Sequence, residues 1–391
     1  MIISTCKTCI NVLLIRVLPI FIVLIAIFIG WLNTKMIPEG TMFATIIPLF
    51  KGQLPATIFG PYAKPLTPIV PADLKALSRP INEMFLNLPG EDGGKIPAQG
   101  LGMCCRASAY DEETVRRTVL WYLLLGGRHI DTADLYLNHQ GVGKGIQDAM
   151  KRGIPRSEIF VTTKIPARFF GFKTSQNSVK RYLEELNLEY IDLLLLHFPK
   201  QMLPILSVKE CTDLKLSNKQ CRIETWKGLS MARENGFVRN IGVSNFNIKQ
   251  LKQISNLDLA PIAANQFQYN PWVPDWQQET FDYCQKNNIP VTAYSSLGAM
   301  MQSAKAFTVD TLKDIAKTHN KSVAQILLRW ALQMNAIIIP GTGNPKHMEE
   351  NLSVYGFELS KDEMELINSL KNDPKAKEFF YMKLPDEEEE D

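Results

Sequence analysis

Eight short apolar runs, each followed by a stretch of helical periodicity, constrain this 391-residue chain more than any other feature. The runs fall at 100–104, 128–131, 159–163, 191–196, 239–243, 263–266, 290–294 and 336–340. The helical patterns fall at 111–125, 140–151, 175–187, 223–235, 247–256, 277–287 and 309–334, with a last helix or pair after Pro345. A strand buried on both faces reads as a continuous apolar run, and strict strand–helix alternation builds a parallel sheet. Eight such units over roughly 270 residues predict an α/β fold of the closed (β/α)8 TIM-barrel type. A doubly wound open sheet is the alternative, disfavoured because no GxGxxG follows the first run. The string Gly141-Val142-Gly143-Lys144-Gly145 opens a helix but lacks the spacing and Ser/Thr of a P-loop, so its glycines read as turn and packing residues.

The flanks differ in kind from this repeat. Between Arg16 and Lys35 lie eighteen uncharged, mostly apolar residues ending near Trp31. As a helix they span roughly 27 Å, close to a bilayer's hydrocarbon thickness. Residues 1–37 are therefore expected to be a retained single-pass membrane anchor; a cleaved signal peptide is the rival, without a small-x-small site after the run. Lys7, Arg16 and the amino terminus outweigh Lys35, which favours a cytoplasmic N-terminus, while the Asn351-Leu352-Ser353 sequon points weakly the other way. Organelle and membrane face stay open. Residues 38–80, with eight prolines, read as a tether. A hairpin, 84–88 with 95–97, opens the barrel domain, taken as 81–375, and 376–391 are assigned to an acidic tail.

Composition narrows the function. A net charge of +3 and no basic stripe interleaved with aromatics argue against nucleic acid. The seven cysteines are unevenly spaced and are expected to be free thiols; Cys6 and Cys9 lack a second ligand pair, so no metal is expected. Of the five histidines none is paired as HxH or HExxH, which leaves a metal-dependent hydrolase without ligands.

Four polar side chains stand at or just past the ends of successive runs: Asp131 and Tyr136 in HIDTADLY, Lys164 in TTKIP and His197 in LLLLHFP. Strand C-termini are where a β/α barrel assembles an active site. Taken singly, such a Tyr or His is usually a packing residue; four at corresponding places are not. A phenol with an ordinary pKa of about 10 becomes a proton donor near working pH when an ammonium stands beside it, and a carboxylate keeps that ammonium charged.

From about Met84 to Leu370 the chain resembles the aldo-keto reductase family. The resemblance is carried in order by Gly100-Leu101-Gly102, HIDTADLY, TTK, LLLLHFP, IGVSNF (241–246), ANQFQYNP (264–271), AYSSLG (293–298) and IIPGTGNPKHMEENL (338–352). It implies an oxidoreductase, with NADPH as cofactor and NADH possible, that reduces aldehyde or ketone carbonyls to alcohols. By resemblance Tyr136 is the general acid, Lys164 lowers its pKa, Asp131 pairs with Lys164, and His197 orients the carbonyl. Ser244, Asn245 and Gln266 would hold the nicotinamide carboxamide and Tyr294 would stack on its ring. Ser295, Leu297 and Gly298 would cover the pyrophosphate; Thr342, His347, Glu350 and Asn351 would meet the adenosine end. Cys104 and Phe198 would line the substrate pocket.

Departures from the family pattern are local. Gly341 and His347 stand where relatives selective for the phosphorylated cofactor often carry Lys and Arg, with Lys346 as a partial substitute. Met103-Cys104 replaces a common Trp, and Ile165-Pro166 follows Lys164, so the pocket is expected to be wider or softer than in aromatic-lined members. A membrane-attached, cofactor-binding redox sensor or scaffold with little turnover is the competing reading; a binding module has no need of all four polar groups.

Overall fold

Continuous apolar runs become parallel strands because each is covered on both faces. The computed structural model describes residues 84–90, 94–105, 111–200, 209–298 and 303–379. All of them belong to one unit within Leu54–Asp391. The expected anchor and tether lie outside the described residues, among which no helix is long and apolar enough to cross a membrane.

A two-stranded antiparallel hairpin comes first: β1 (Phe85–Asn87) and β2 (Lys95–Pro97), with Leu86 opposite Ile96. The barrel strands follow as β3 (Leu101–Gly102), β4 (His129–Asp131), β5 (Phe160–Ile165), β6 (Ile191–Leu196), β7 (Val238–Ser244), β8 (Asn265–Gln268), β9 (Val291–Tyr294) and β10 (Ala336–Ile338). Each pairs in parallel with its sequence neighbour. Closure comes from a parallel bridge between Gln99 and Ile338, with Gly100 N–H donating to the Ile338 carbonyl at 2.7 Å. Every position of β5 and β6 is buried, as two-sided cover requires.

The outer helices are α1 (Glu112–Leu124), α2 (His139–Lys151), α3 (Phe172–Leu186), α4 (Lys209–Asp213), α5 (Asn218–Glu234), α6 (Ile248–Ser255), α7 (Asp275–Lys286), α8 (Ser303–Ala306), α9 (Asp310–His319), α10 (Val323–Gln333), α11 (Pro345–Leu352) and α12 (Lys361–Asn368). The expected elements are all present, with shifted ends. Helix α5 begins at 218 rather than 223 because Ser217 and Gln220 form a reciprocal capping box ahead of the apolar period. The glycines of Gly141–Gly145 are packing residues: a Cβ on Gly143 would fall 2.2 Å from the Leu186 carbonyl oxygen of α3.

Two expectations change here. Cys211 and Cys221 are not free thiols: they are joined across ten residues, with Cα atoms 5.6 Å apart, and the sulfurs of Cys104 and Cys105 also lie against one another. Uneven spacing hid the first pair because a folded loop, not a sequence motif, brings α4 to α5. Helix α4 carries Glu210, whose carboxylate accepts from the Lys173 and Thr174 N–H groups and so caps α3 from a distance. Closing a loop of this size is worth about 3 kcal/mol in the chain-entropy model. Reduction, or Cys211→Ser with Cys221→Ser, is expected to lower the melting temperature by several degrees and to increase hydrogen exchange at the start of α3; an unchanged melting curve on reduction would contradict this. The second change is at the far end. Ala376–Phe379, placed in the tail by composition, form a turn whose Phe379 is buried and stacks on Trp272 at 4.2 Å.

Candidate active site

The polar residues that end β4, β5 and β6 face one another at the C-terminal mouth of the barrel. Lys164 sits one residue before the end of β5 and is fully buried. Its ammonium donates to Asp131 Oδ1 at 2.5 Å, to the Thr132 carbonyl at 2.9 Å and to the Tyr136 hydroxyl at 3.4 Å. Those three contacts match the three N–H donors of a lysine. Burial pulls the Lys164 pKa down, and the Asp131 carboxylate works against that shift.

Tyr136 closes a one-turn 3-10 segment, Asp134–Tyr136, terminated by Leu137 in the left-handed region at φ 52°. Asp134 anchors this turn. Its carboxylate is buried and holds Arg168 at 2.6 Å and Arg181 in a shorter contact. The His197 ring meets the Tyr136 ring edge-on at 5.7 Å and stacks nearly parallel on Phe198 at 4.8 Å. Burial first, and then the Lys164 charge, hold the His197 pKa well below the ordinary imidazole value, so the ring is neutral. The four residues singled out in the sequence therefore converge, and Phe198 joins them. Cys104 is half-buried and follows Met103, whose N–H donates to the Asp131 carbonyl at 2.9 Å.

A second group lines the adjoining strand ends. Ser244 of β7 lies in register with Gln266 of β8, and both are buried. Gln266 donates its amide to Asp131 Oδ2 at 2.7 Å, which leaves its carbonyl oxygen as an acceptor. Ser244 Oγ accepts from Asn245 Nδ2 at 3.1 Å and keeps its O–H as a donor. One donor beside one acceptor is the complement of a primary carboxamide. Asn245 is held in turn by the His197 carbonyl at 3.0 Å and by the Tyr294 hydroxyl, which donates to its Oδ1 at 2.8 Å. Ser295, Leu297 and Gly298 follow β9, where a Cβ on Gly298 would meet the Phe379 ring at 3.3 Å.

Thr342, His347, Glu350 and Asn351 belong to a separate patch, the loop after β10 and helix α11. Thr342 Oγ1 accepts from the Asn344 N–H, His347 is exposed, Glu350 is half-buried and Asn351 is buried. Sequence reasoning passed over Asp134 and Asn138. The latter links Thr132 Oγ1, at 2.6 Å, to the Met103 carbonyl, at 2.9 Å. Its only signal was an Asn directly before helix α2, which does not distinguish it from an ordinary helix-capping residue.

A family model, the Aldo/keto reductase family, matches residues 100–372. The chain belongs to that family. Among its relatives is a 9,11-endoperoxide prostaglandin H2 reductase of Trypanosoma cruzi, 36% identical over 281 residues, which are 71% of this chain and 89% of that protein. A glyoxal reductase of Bacillus subtilis is 34% identical over 252 residues, 64% of this chain and 81% of its own. Among solved structures, a Bombyx mori aldo-keto reductase in complex with NADP superposes with a TM-score of 0.65 at 32% identity, covering 74% of this chain and 94% of that one. The family motif Gly100-Leu101-Gly102 now has a physical reason. A Cβ on Gly100 would fall 2.7 Å from His129 Nδ1, and one on Gly102 would fall 2.5 Å from the Ile339 carbonyl oxygen, at the seam where the barrel closes.

That buried His129 sets a pH limit on the fold. Burial lowers its pKa from 6.5 to about 4. Below pH 6.5 the unfolded chain takes up a proton that the folded imidazole refuses, so stability falls between pH 6.5 and about 4, by about 3 kcal/mol for this residue. His197, shifted the same way, adds to the loss. Denaturant titrations at pH 7.5 and pH 5 are expected to show a lower midpoint at pH 5; equal midpoints would contradict the burial argument.

Proposed function

We propose that this family member reduces aldehyde or ketone carbonyls to alcohols, with a nicotinamide cofactor bound across the barrel mouth and NADPH preferred. The observation that carries the reading is the buried Lys164 ammonium, shared between Asp131 and the Tyr136 hydroxyl. A buried charge is costly unless partnered, and here one of its partners is a phenol at the rim. The Ser244–Gln266 pair suits the carboxamide of a nicotinamide. When bound, the cofactor supplies the hydride.

The chain's own residues do the rest. Tyr136 delivers a proton to the carbonyl oxygen, and the adjacent Lys164 ammonium stabilises the phenolate that remains. Asp131 keeps Lys164 charged and aimed. Neutral His197 donates a hydrogen bond to the oxygen on which charge develops and fixes the carbonyl's direction, with Phe198 packed against its face. Asn245 and Tyr294, bonded to each other, hold the ring's position. Ser295, Leu297 and Gly298 would line the pyrophosphate, and Thr342, His347, Glu350 and Asn351 would meet the adenosine end. Exposed Lys346 is the cation available for a 2′-phosphate. Cys104 and Phe198 bound the substrate. The scaffold reading leaves the Tyr136–Lys164 contact without a purpose and is the weaker one. We propose too that residues 17–34 keep the enzyme at a membrane, an assignment that alkaline extraction of membranes tests.

The test of function uses the full-length chain with NADPH or NADH and a panel of aldehydes and ketones. Carbonyl-dependent oxidation, faster with NADPH, is expected. Cofactor binding without oxidation by any carbonyl would replace this reading with the scaffold.

A further inference from the structure

The end of the barrel opposite the mouth carries a second cavity that the reductase reading does not use. It occupies about 680 Å³ beneath the N-terminal ends of β5, β6 and β7 and is closed on one side by the β1–β2 hairpin. That volume falls in the range of small-molecule sites. Phe160 at the floor of β5 and Lys164 near its top are four residues apart, roughly 13 Å along a strand, so the two sites are separate.

The charges around this cavity do not cancel. Two of its acids are already paired: exposed Glu158 accepts from Arg128 at 3.2 Å, and buried Asp192 accepts from Arg156 at 2.6 Å and from the Val161 N–H. Three lining cations, Lys95, Arg233 and Arg239, form no ion pair within 4 Å among the described residues, although the Arg239 charge is felt by Asp192, against one unpaired lining acid, Glu234. Counting Arg156, which pairs with Asp192 from behind the lining, five cations stand against three acids, a surplus of two positive charges. Arg239 is also fixed in orientation, lying flat on the Tyr190 ring at 3.7 Å, and Arg156 covers the same ring at 4.0 Å. Arg233 is tied to the start of β7, donating from Nε to the Arg239 carbonyl at 3.0 Å, which leaves its terminal nitrogens uncommitted. Beside these cations the wall is apolar: Phe85, 46% exposed although it belongs to the hairpin, lines the cavity with Ile159.

From this we infer that the cavity is a binding site for a phosphomonoester with an apolar or aromatic body. Such a group carries about −1.5 to −2 charges at neutral pH, which matches the surplus, and its three acceptor oxygens exceed what a carboxylate offers to several cations. Guanidinium forks recognise phosphate bidentately, and the exposed Phe85 ring takes the body of the ligand. A soluble organic phosphate and the headgroup of phosphatidic acid share this chemistry.

Full-length protein saturated with NADPH, so that the barrel mouth is filled, is titrated at constant ionic strength with phenyl phosphate, inorganic phosphate and benzoate. Phenyl phosphate is expected to bind about tenfold or more tightly than either of the others, and Arg239→Glu or Lys95→Glu to weaken it by about tenfold. Both variants are expected to keep carbonyl reduction within about twofold, because neither touches the mouth. Vesicles with and without phosphatidic acid give the second arm. Phosphatidate-dependent binding that Arg239→Glu removes assigns the site to the lipid, and its absence beside phenyl phosphate binding assigns it to a soluble ligand. Phenyl phosphate binding no tighter than benzoate without phosphatidate-dependent binding, or binding that survives both charge reversals, would overturn the proposal. Neither result depends on whether the chain turns over a carbonyl.

Discussion

Lys164→Met is expected to unfold this barrel more readily than any other single change of similar size, by about 3–5 kcal/mol. Methionine fills nearly the same volume, so the loss comes from charge rather than from a cavity. Asp131, buried to 1% exposure, would keep only its bond from Gln266, and the Thr132 carbonyl would lose its donor. For a domain this large the melting temperature falls by roughly 4–8 °C. Adding Asp131→Asn to Lys164→Met removes the stranded charge and is expected to restore part of the loss, so the double mutant is more stable than the sum of the singles. Chemical denaturation of the four proteins of this cycle measures it. Strict additivity would mean that the two groups are not paired in solution. Activity does not return in the double mutant, because the ammonium beside Tyr136 is still missing.

Much of this was legible from residue types alone, for identifiable reasons. The run Ile191–Leu196 is apolar throughout because both of its faces are covered, and only a parallel sheet asks for that. Asp131, Lys164 and His197 stood out because each interrupts or ends such a run. What escaped was created by tertiary contact. The N-terminus of α3 is set by Glu210, thirty-six residues from Thr174, so the local pattern placed its start three residues late. The bond between Cys211 and Cys221 follows from where α4 folds back. Gln266 was legible as a site residue, but not that its amide serves Asp131 and leaves only its oxygen for a ligand. Asp134 lay inside the most informative string and was still passed over, because its two arginines come from the segment after β5 and from α3. Phe379 looked like tail until its burial against Trp272 showed otherwise; its carbonyl accepts from Gln268 at 2.8 Å and Asn270 at 3.3 Å.

The same geometry assigns a division of labour to the quartet. Asp131 and Lys164 are structural and electrostatic at once, so changing them mixes stability with rate. His197 is packed between Phe198 and Tyr136, and its neutrality suits it to donating one hydrogen bond rather than to carrying a proton. Tyr136 alone can be altered by one atom without disturbing the buried pair, since the Lys164 ammonium keeps both Asp131 and the Thr132 carbonyl when the phenol oxygen is removed.

Tyr136→Phe is therefore the sharpest probe of the mechanism, and single-turnover reduction of an aldehyde by the NADPH-saturated variant is the measurement. The account predicts a melting temperature and an NADPH affinity close to those of the parent protein, with the hydride-transfer rate reduced by about 10²–10⁴-fold, the range lost with a positioned acid. A variant that binds NADPH normally and still reduces the aldehyde at the parent rate would contradict it, because the proton would then come from elsewhere.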